Sequence, residues 1–296
     1  LFEEALSLLR RCGDLEGMAF ALRYLGHIWQ WMGEYSLARG LLLESLEAGR
    51  QSGSLWHMTH TLNQLGSLVS TLGEHEEASR FYRESLDLFR QIGNRQGIAS
   101  TLNNLGIEAY LREDYPEAVR MCRESLAIFQ ELGDRWGCAL ALVNLSNVSM
   151  DMGEYAEAER LNLEAVAAFR ELGDRWGVAN SLSNLGTIAC ALGKSPDSRR
   201  YFEQALEAAR ELQAIPLILE VLVGLARLLA REEKQEQAVE FLAVALRHPA
   251  LDQQIREQAG RLLETLRQGM PPEAFAAALE RGQARTWEEV LREFLS

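Results

Sequence analysis

The sequence has no run approaching the ~18 apolar residues that a membrane-spanning helix needs, and no secretory leader is visible. It has no surplus of base either. Its 30 Lys and Arg stand against 43 Asp and Glu, a net charge of −13. A grip on phosphate backbones rests on cations, so neither direct nucleic-acid binding nor a membrane partner is expected. Paired cysteines are missing as well. Cys12, Cys122, Cys138 and Cys190 are scattered without C-x-x-C spacing inside helical patterns. They read as small buried residues in a reducing, cytoplasmic compartment.

Catalytic sets are equally hard to find. Gly193-Lys194-Ser195 has the ending of a phosphate-binding loop, but the glycine required five residues before Gly193 is Ile188. His57 and His60 lie one helical turn apart, with no third metal ligand nearby. No Ser/His/Asp or Cys/His group converges. The expectation is a non-catalytic protein with no metal and no cofactor.

What is present is repetition. Gly13, Gly53, Gly93, Gly133 and Gly173 recur every 40 residues. Gly33, Gly73, Gly153 and Gly193 fall halfway between, with Glu113 where a fifth would stand. The units beginning at Leu132 and Leu172 both open Leu-Gly-Asp-Arg-Trp-Gly. Each of the first glycines is followed by Asp14, Ser54, Asn94, Asp134 or Asp174. Glycine suits the left-handed residue that ends a helix, and Asp, Asn and Ser suit the cap that starts the next. Each unit is therefore two antiparallel helices that bury their apolar stripes by stacking on neighbouring units. With 47% of 296 residues hydrophobic, the chain can fill such a core. It opens at Leu1 in mid-pattern, which reads as a piece of a longer polypeptide.

Within the units, Leu62-x2-Leu65-Gly66-x2-Val69 followed by Ala78-x3-Tyr82 and Ser85 is similar to the tetratricopeptide (TPR) pattern of large and small packing residues. The same slots hold Leu22, Leu25, Gly26, Ala38, Leu42 and Ser45 one unit earlier, and Leu102, Leu105, Gly106, Ala118, Cys122 and Ser125 one unit later. The expected fold class is all-α: a right-handed TPR solenoid of antiparallel helix pairs with a C-terminal helical cap. The solenoid is assigned to residues 1–247, a partial first unit over 1–12 with Ala5 in the Ala245 slot and then six units. The cap is assigned to 248–296, after the break at Pro249. Helices are expected there at about 251–268, 272–282 and 286–295.

The repeats run to 40 residues against the usual ~34. In this they resemble the long TPRs of the C-terminal sensor regions of bacterial STAND-type signalling ATPases and of MalT-like or LuxR-type regulators. Pins-type polarity scaffolds and kinesin light chains have similar repeats. Ala277 to Val290 resembles a segment that closes many of the bacterial regulators, although Leu279 and Trp287 depart from its usual pattern. The resemblance implies a sensor arm that binds a protein, a peptide or a small effector. It also implies an ATPase module N-terminal to Leu1 in the full-length chain. The alternative is a constitutive adaptor that holds an extended peptide and signals nothing.

In a TPR solenoid the first helix of each pair lines the concave surface. Spacings of three and four from each Leu-Gly pair put Arg23, Tyr24 and His27 there, followed by His60, Asn63 and Gln64, and then Asn103, Asn104 and Tyr110. Asn144, Asn147, Asn180, Asn184 and Arg227 continue the stripe. Gln64, Asn104, Asn144 and Asn184 share one slot, a ladder of side chains that both donate and accept. Such a ladder suits either the backbone of an extended peptide or bonds between neighbouring helices. Phe20, Tyr24, His27 and Trp31 make the N-terminal end aromatic, a stripe more in keeping with packing on a preceding unit. Arg227 and Arg231 make the other end basic. Trp56, Trp136 and Trp176, just after the caps, are expected to pack in the core.

Overall fold

A computed structural model describes residues 2–294, apart from the side chains of Phe2, Glu3 and Ala5. The expected role of Ala5, and the end of the helix expected to reach 295, lie outside the described residues. Among those described the chain is 86% helical, in sixteen helices with no strand. After α1 (Phe2–Cys12) come α2 (Leu15–Trp31), α3 (Tyr35–Ser52), α4 (Leu55–Thr71), α5 (His75–Gln91), α6 (Arg95–Leu111), α7 (Tyr115–Leu132) and α8 (Arg135–Asp151). Then follow α9 (Tyr155–Leu172), α10 (Arg175–Ala191), α11 (Ser195–Glu211), α12 (Ile215–Arg231) and α13 (Gln235–Arg247). The tail holds α14 (Gln253–Gly269), α15 (Pro272–Ala284) and α16 (Trp287–Phe294). The even-numbered helices from α2 to α12 are the first helices of the repeats. The fold is the TPR-type solenoid of helix pairs that the motif calls for.

The punctuation works as its chemistry requires. Gly13 sits at φ 71° and Gly173 at φ 70°, backbone that a side chain resists. The next residue then serves two helices at once. The Asp174 N–H closes α9 on the Phe169 carbonyl (3.0 Å), while its carboxylate caps α10 by accepting the Gly177 N–H at 2.8 Å. Asp14, Asn94 and Asp134 repeat this double duty. Ser54 closes α3 on Gly49 but makes no side-chain cap.

The chain divides into two compact units, residues 1–148 and 149–296. In the first, the Leu-Gly glycines lie under large residues of the paired helix. A Cβ on Gly66 would meet the Tyr82 ring at 2.7 Å, and one on Gly106 would meet Cys122 Sγ at 2.4 Å. In the second unit, Phe202 is fully buried between Gly186 of α10 and Gly224 of α12. One hydrophobic cluster there runs from Val166 to Leu291 and takes in the tail through Leu251, Phe275 and Val290. α15 reaches α13 closely because Gly282 lies against the Glu240 carbonyl and the Ala243 methyl. Arg281 and Arg285 then pair with Glu240.

Two expectations about burial are corrected. Cys122 and Cys190 are buried, and burial pushes the Cys122 thiol up to about 12, but Cys12 is exposed at the end of α1. Trp136 and Trp176 are 51% and 54% exposed, and Trp56 45%. In α8 and α10 the inward slot is taken by the next residue, Gly137 or Gly177, which rests on the ring of Phe129 or Phe169. One residue earlier on a helix points ~100° away, so Trp136 and Trp176 turn outward.

Candidate functional site

In the first unit the predicted stripe on α2, α4, α6 and α8 forms two connected groups. The N-terminal group is aromatic and basic. Arg23 places its guanidinium 4.6 Å from the Tyr24 ring centroid, 5.7 Å from Trp56 and 5.9 Å from Phe20. His60 packs on Trp56 with centroids 4.4 Å apart and the rings tilted by 55°, and touches Phe89 edge-on. His27 is exposed and meets Trp31 at 6.0 Å. Burial lowers the His60 pKa, helped by Arg23 and His57, so its ring is neutral at pH 7. Arg23 Nε and Gln64 Nε2 are both buried without a hydrogen-bond partner.

The second group is the amide ladder, and it is knitted together. Asn104 donates through Nδ2 to Asn63 Oδ1 at 3.3 Å, and Asn144 donates to Asn103 Oδ1 at 2.9 Å. Each bond joins one repeat to the next. Asn63 in turn donates to Ser85 Oγ at 2.6 Å and Thr101 Oγ1 at 2.9 Å. The Ser85 hydroxyl donates to the Thr59 carbonyl at 2.9 Å. Asn63 and Asn103 are thus anchors: Asn103 is buried, and Asn63 spends its donors inward. Asn104 and Asn144 are half-buried, each with one N–H engaged. Among the described residues no protein donor reaches their Oδ1 atoms. Tyr110 stacks near Tyr115 at 6.3 Å, and Asn147 is half-buried on α8.

In the second unit Asn180 and Asn184 are half-buried on α10, and Asn180 lines a cavity with Glu220 of α12. Arg227 is not an open basic end. It donates to Gln258 Oε1 of α14 at 3.3 Å, and burial lowers its pKa. Arg231 is exposed but donates to the Cys190 carbonyl. That α14 would cover α12 has no signal in the sequence, because the tail carries no repeat from which to take its register. The partner of the recurring Ser45, Ser85 and Ser125 slot has a signal of its own in the sequence: Thr61 and Thr101 also recur at 40 residues.

No group of three or more His, Cys, Asp or Glu suited to a metal ion occurs among the described residues, and none of their helices is long and apolar enough to cross a membrane. A family model described as tetratricopeptide repeat matches residues 17–91, 57–131 and 137–211. The chain belongs to the tetratricopeptide-repeat family. As a TPR protein it is a protein-binding scaffold. No curated protein matches its sequence.

Among solved structures this TPR chain is similar to the apo form of the quorum sensor NprR from B. thuringiensis, with 14% identity and a TM-score of 0.71 over 99% of this chain and 82% of that one. It is similar to a Rap protein complexed with competence and sporulation factor, with 14% identity and a TM-score of 0.66 over 94% and 77% of the two chains. A STAND signal transduction ATPase with a tetratricopeptide repeat sensor, from Pyrococcus horikoshii, gives 17% identity and a TM-score of 0.59. That match covers 92% of this chain and 40% of the other. At such identities the likeness is one of fold.

Proposed function

We propose that the chain is a non-catalytic sensor segment of a larger STAND-type signalling ATPase, without metal or cofactor. On this reading it holds a peptide, a protein segment or a small effector on the face made by the first helices. Residues 1–247 are read as the repeat region and 248–296 as its cap. The fold likeness to the Pyrococcus sensor protein supports the ATPase context. The Rap protein, crystallised with competence and sporulation factor, supports the mode of use. Four free thiols and an acidic surface are consistent with a cytoplasmic place and no nucleic-acid contact.

The observation that carries the reading is the state of Asn104 and Asn144. One N–H of each is tied to the preceding repeat, which fixes the amide plane. The carbonyl oxygen and the second N–H stay available on a half-exposed face, one donor and one acceptor per repeat. That pair matches what one residue of extended backbone offers. Each bond nets ~0.5–1.5 kcal/mol, so two repeats working together give a difference that is easily measured.

The test is selection from a random peptide display library on the intact chain. Selected peptides should bind the parent with micromolar Kd. They should bind the Asn104→Ala/Asn144→Ala variant at least tenfold more weakly, while circular dichroism shows the variant folded. Selected peptides that bind parent and variant alike would move recognition off this face.

A further inference from the structure

A cavity of 270 Å³ opens in the second unit between α10, α12 and α14. Its walls are mainly apolar: Trp176, Pro216, Leu217, Leu251 and Ile255. Asn180, Glu220 and Asp252 interrupt them. Asp252 is already engaged, one oxygen accepting the Gln254 and Ile255 N–H groups at 2.8 and 3.2 Å to cap α14. Glu220 accepts one bond, from Ser183 Oγ at 3.2 Å, and no cation faces it among the described residues. Desolvation, with Asp252 adding to it, pushes the Glu220 carboxyl above the usual range. An unpaired carboxylate against apolar walls is costly unless something of opposite charge joins it. The volume is at the small end for ligand pockets, room for one side chain. The complement of this surface is a cation on an aliphatic stem.

We propose that the cavity receives a primary alkylammonium, the side chain of a lysine in a bound peptide, with its stem along Leu217, Leu251 and Ile255 and its head at Glu220. The Asn180 carbonyl supplies a second acceptor, and the Trp176 ring stands at the mouth, where a cation or its stem can lie on the indole face. That the ammonium arrives on a peptide rests on the groove reading above. The cavity's own preference for an alkylammonium does not.

The experiment follows the indole N–H signal of Trp176 by NMR in the full chain, assigned with Trp176→Phe. The probe is n-butylammonium chloride, set against sodium chloride at equal ionic strength and against neutral n-butanol. Butylammonium should shift the Trp176 signal saturably, and Glu220→Gln should weaken it at least tenfold. Butanol, with the same stem, should bind parent and variant alike, which also shows that the variant's cavity is intact. The proposal is overturned if butylammonium gives no saturable shift, binds no better than butanol, or binds Glu220→Gln as well as the parent. If the amine result holds while the peptide selection fails, the cavity is an amine site and the groove reading falls. If the selection succeeds while the amine result fails, the groove stands and this cavity is not its side-chain pocket.

Discussion

The second helices of the two units share one fully buried slot, and they fill it oppositely. In the first unit it holds Ser45, Ser85 and Ser125; in the second it holds Ala165, Ala205 and Ala245. Each serine donates to a carbonyl of its paired first helix: Ala19, Thr59 or Ala99, at 2.7–2.9 Å. The hydroxyls of Ser45 and Thr61, 3.0 Å apart, extend the link to the next repeat. The second unit uses methyl groups in that slot and one broad hydrophobic cluster. A buried hydroxyl bonded to a carbonyl adds little net energy but is expensive to leave unmatched. Apolar packing adds more, and fixes register less sharply. The first unit therefore spends its interior on orientation, which is what holds its amides in place, and the second on burial.

The largest expected effect tests the burial side. Phe202 fills the space between Gly186 and Gly224, neither of which has a side chain to collapse into the gap. Phe202→Ala should cost about 3–5 kcal/mol in urea unfolding. Amide exchange should rise in α10, α11 and α12. A cost below about 1 kcal/mol would mean that apolar packing does not dominate there, and the contrast between units would collapse.

A reciprocal exchange in the shared slot comes next. Ser85→Ala leaves Asn63 Nδ2 with Thr101 as its remaining acceptor and the Thr59 carbonyl without its hydroxyl donor, and should cost about 1–3 kcal/mol. Ala205→Ser should stay within about 1 kcal/mol. Its hydroxyl would lie 26 residues from Ala179, the spacing at which Ser45, Ser85 and Ser125 each find a carbonyl. Equal costs in the two directions would show that the slot is indifferent to polarity.

Glu220 supplies a pH-dependent contrast inside the second unit. Its carboxyl is raised by desolvation, so between the ordinary value of 4.5 and the folded value the native state holds more protons than the unfolded one. Stability from this group is therefore present at low pH and lost as pH rises through that window. Asp252, the charged group facing it, acts in the same sense. Glu220→Gln should raise the melting temperature at pH 7.5 and change it little at pH 4.5. A variant less stable than the parent at pH 7.5 would mean that the carboxylate has a counter-charge after all.

Much of this was legible because it is local. A glycine at positive φ followed by a capping residue needs no tertiary information, and neither does a stripe at spacings of three and four. The Asn ladder was legible as a row, but whether its members face outward or one another depends on the offset between neighbouring helices. Position 104 meets position 63, not position 64, and no helical period within one repeat contains that offset. Another pattern is visible only once the helix contacts are known. Phe89/Gly97, Phe129/Gly137 and Phe169/Gly177 pair a large residue with a glycine eight positions on, while Gly49/His57 reverses the order. In each pair a large residue on one side of the contact faces a glycine on the other. The Trp136 and Trp176 expectation failed for want of that rule.

The smallest expected effects lie at the turns, where one position in the first unit and two in the second depart from glycine. Glu113, Gln213 and Glu233 hold φ at 62°, 53° and 61°, the region that glycine occupies at the matching positions of other repeats. The hydrogen bonds there are intact: the N–H groups of Asp114, Ala214 and Lys234 close on Ala109, Ala209 and Leu229 at 2.9 Å. The turn is thus formed in full while a side chain is carried in a conformation that costs it roughly 1–2 kcal/mol. Glycine removes that strain but returns some backbone entropy to the unfolded chain, so a net gain of about 0.5–1 kcal/mol per site is expected. The three sites are far apart in sequence and share no partners, so Glu113→Gly, Gln213→Gly and Glu233→Gly should add. If the second unit relies on burial and not on its turns, its two substitutions should gain no more per site than the one in the first unit. A larger gain at 213 and 233 than at 113 would show the second unit paying for its turns, and would place part of the difference between the units in the loops.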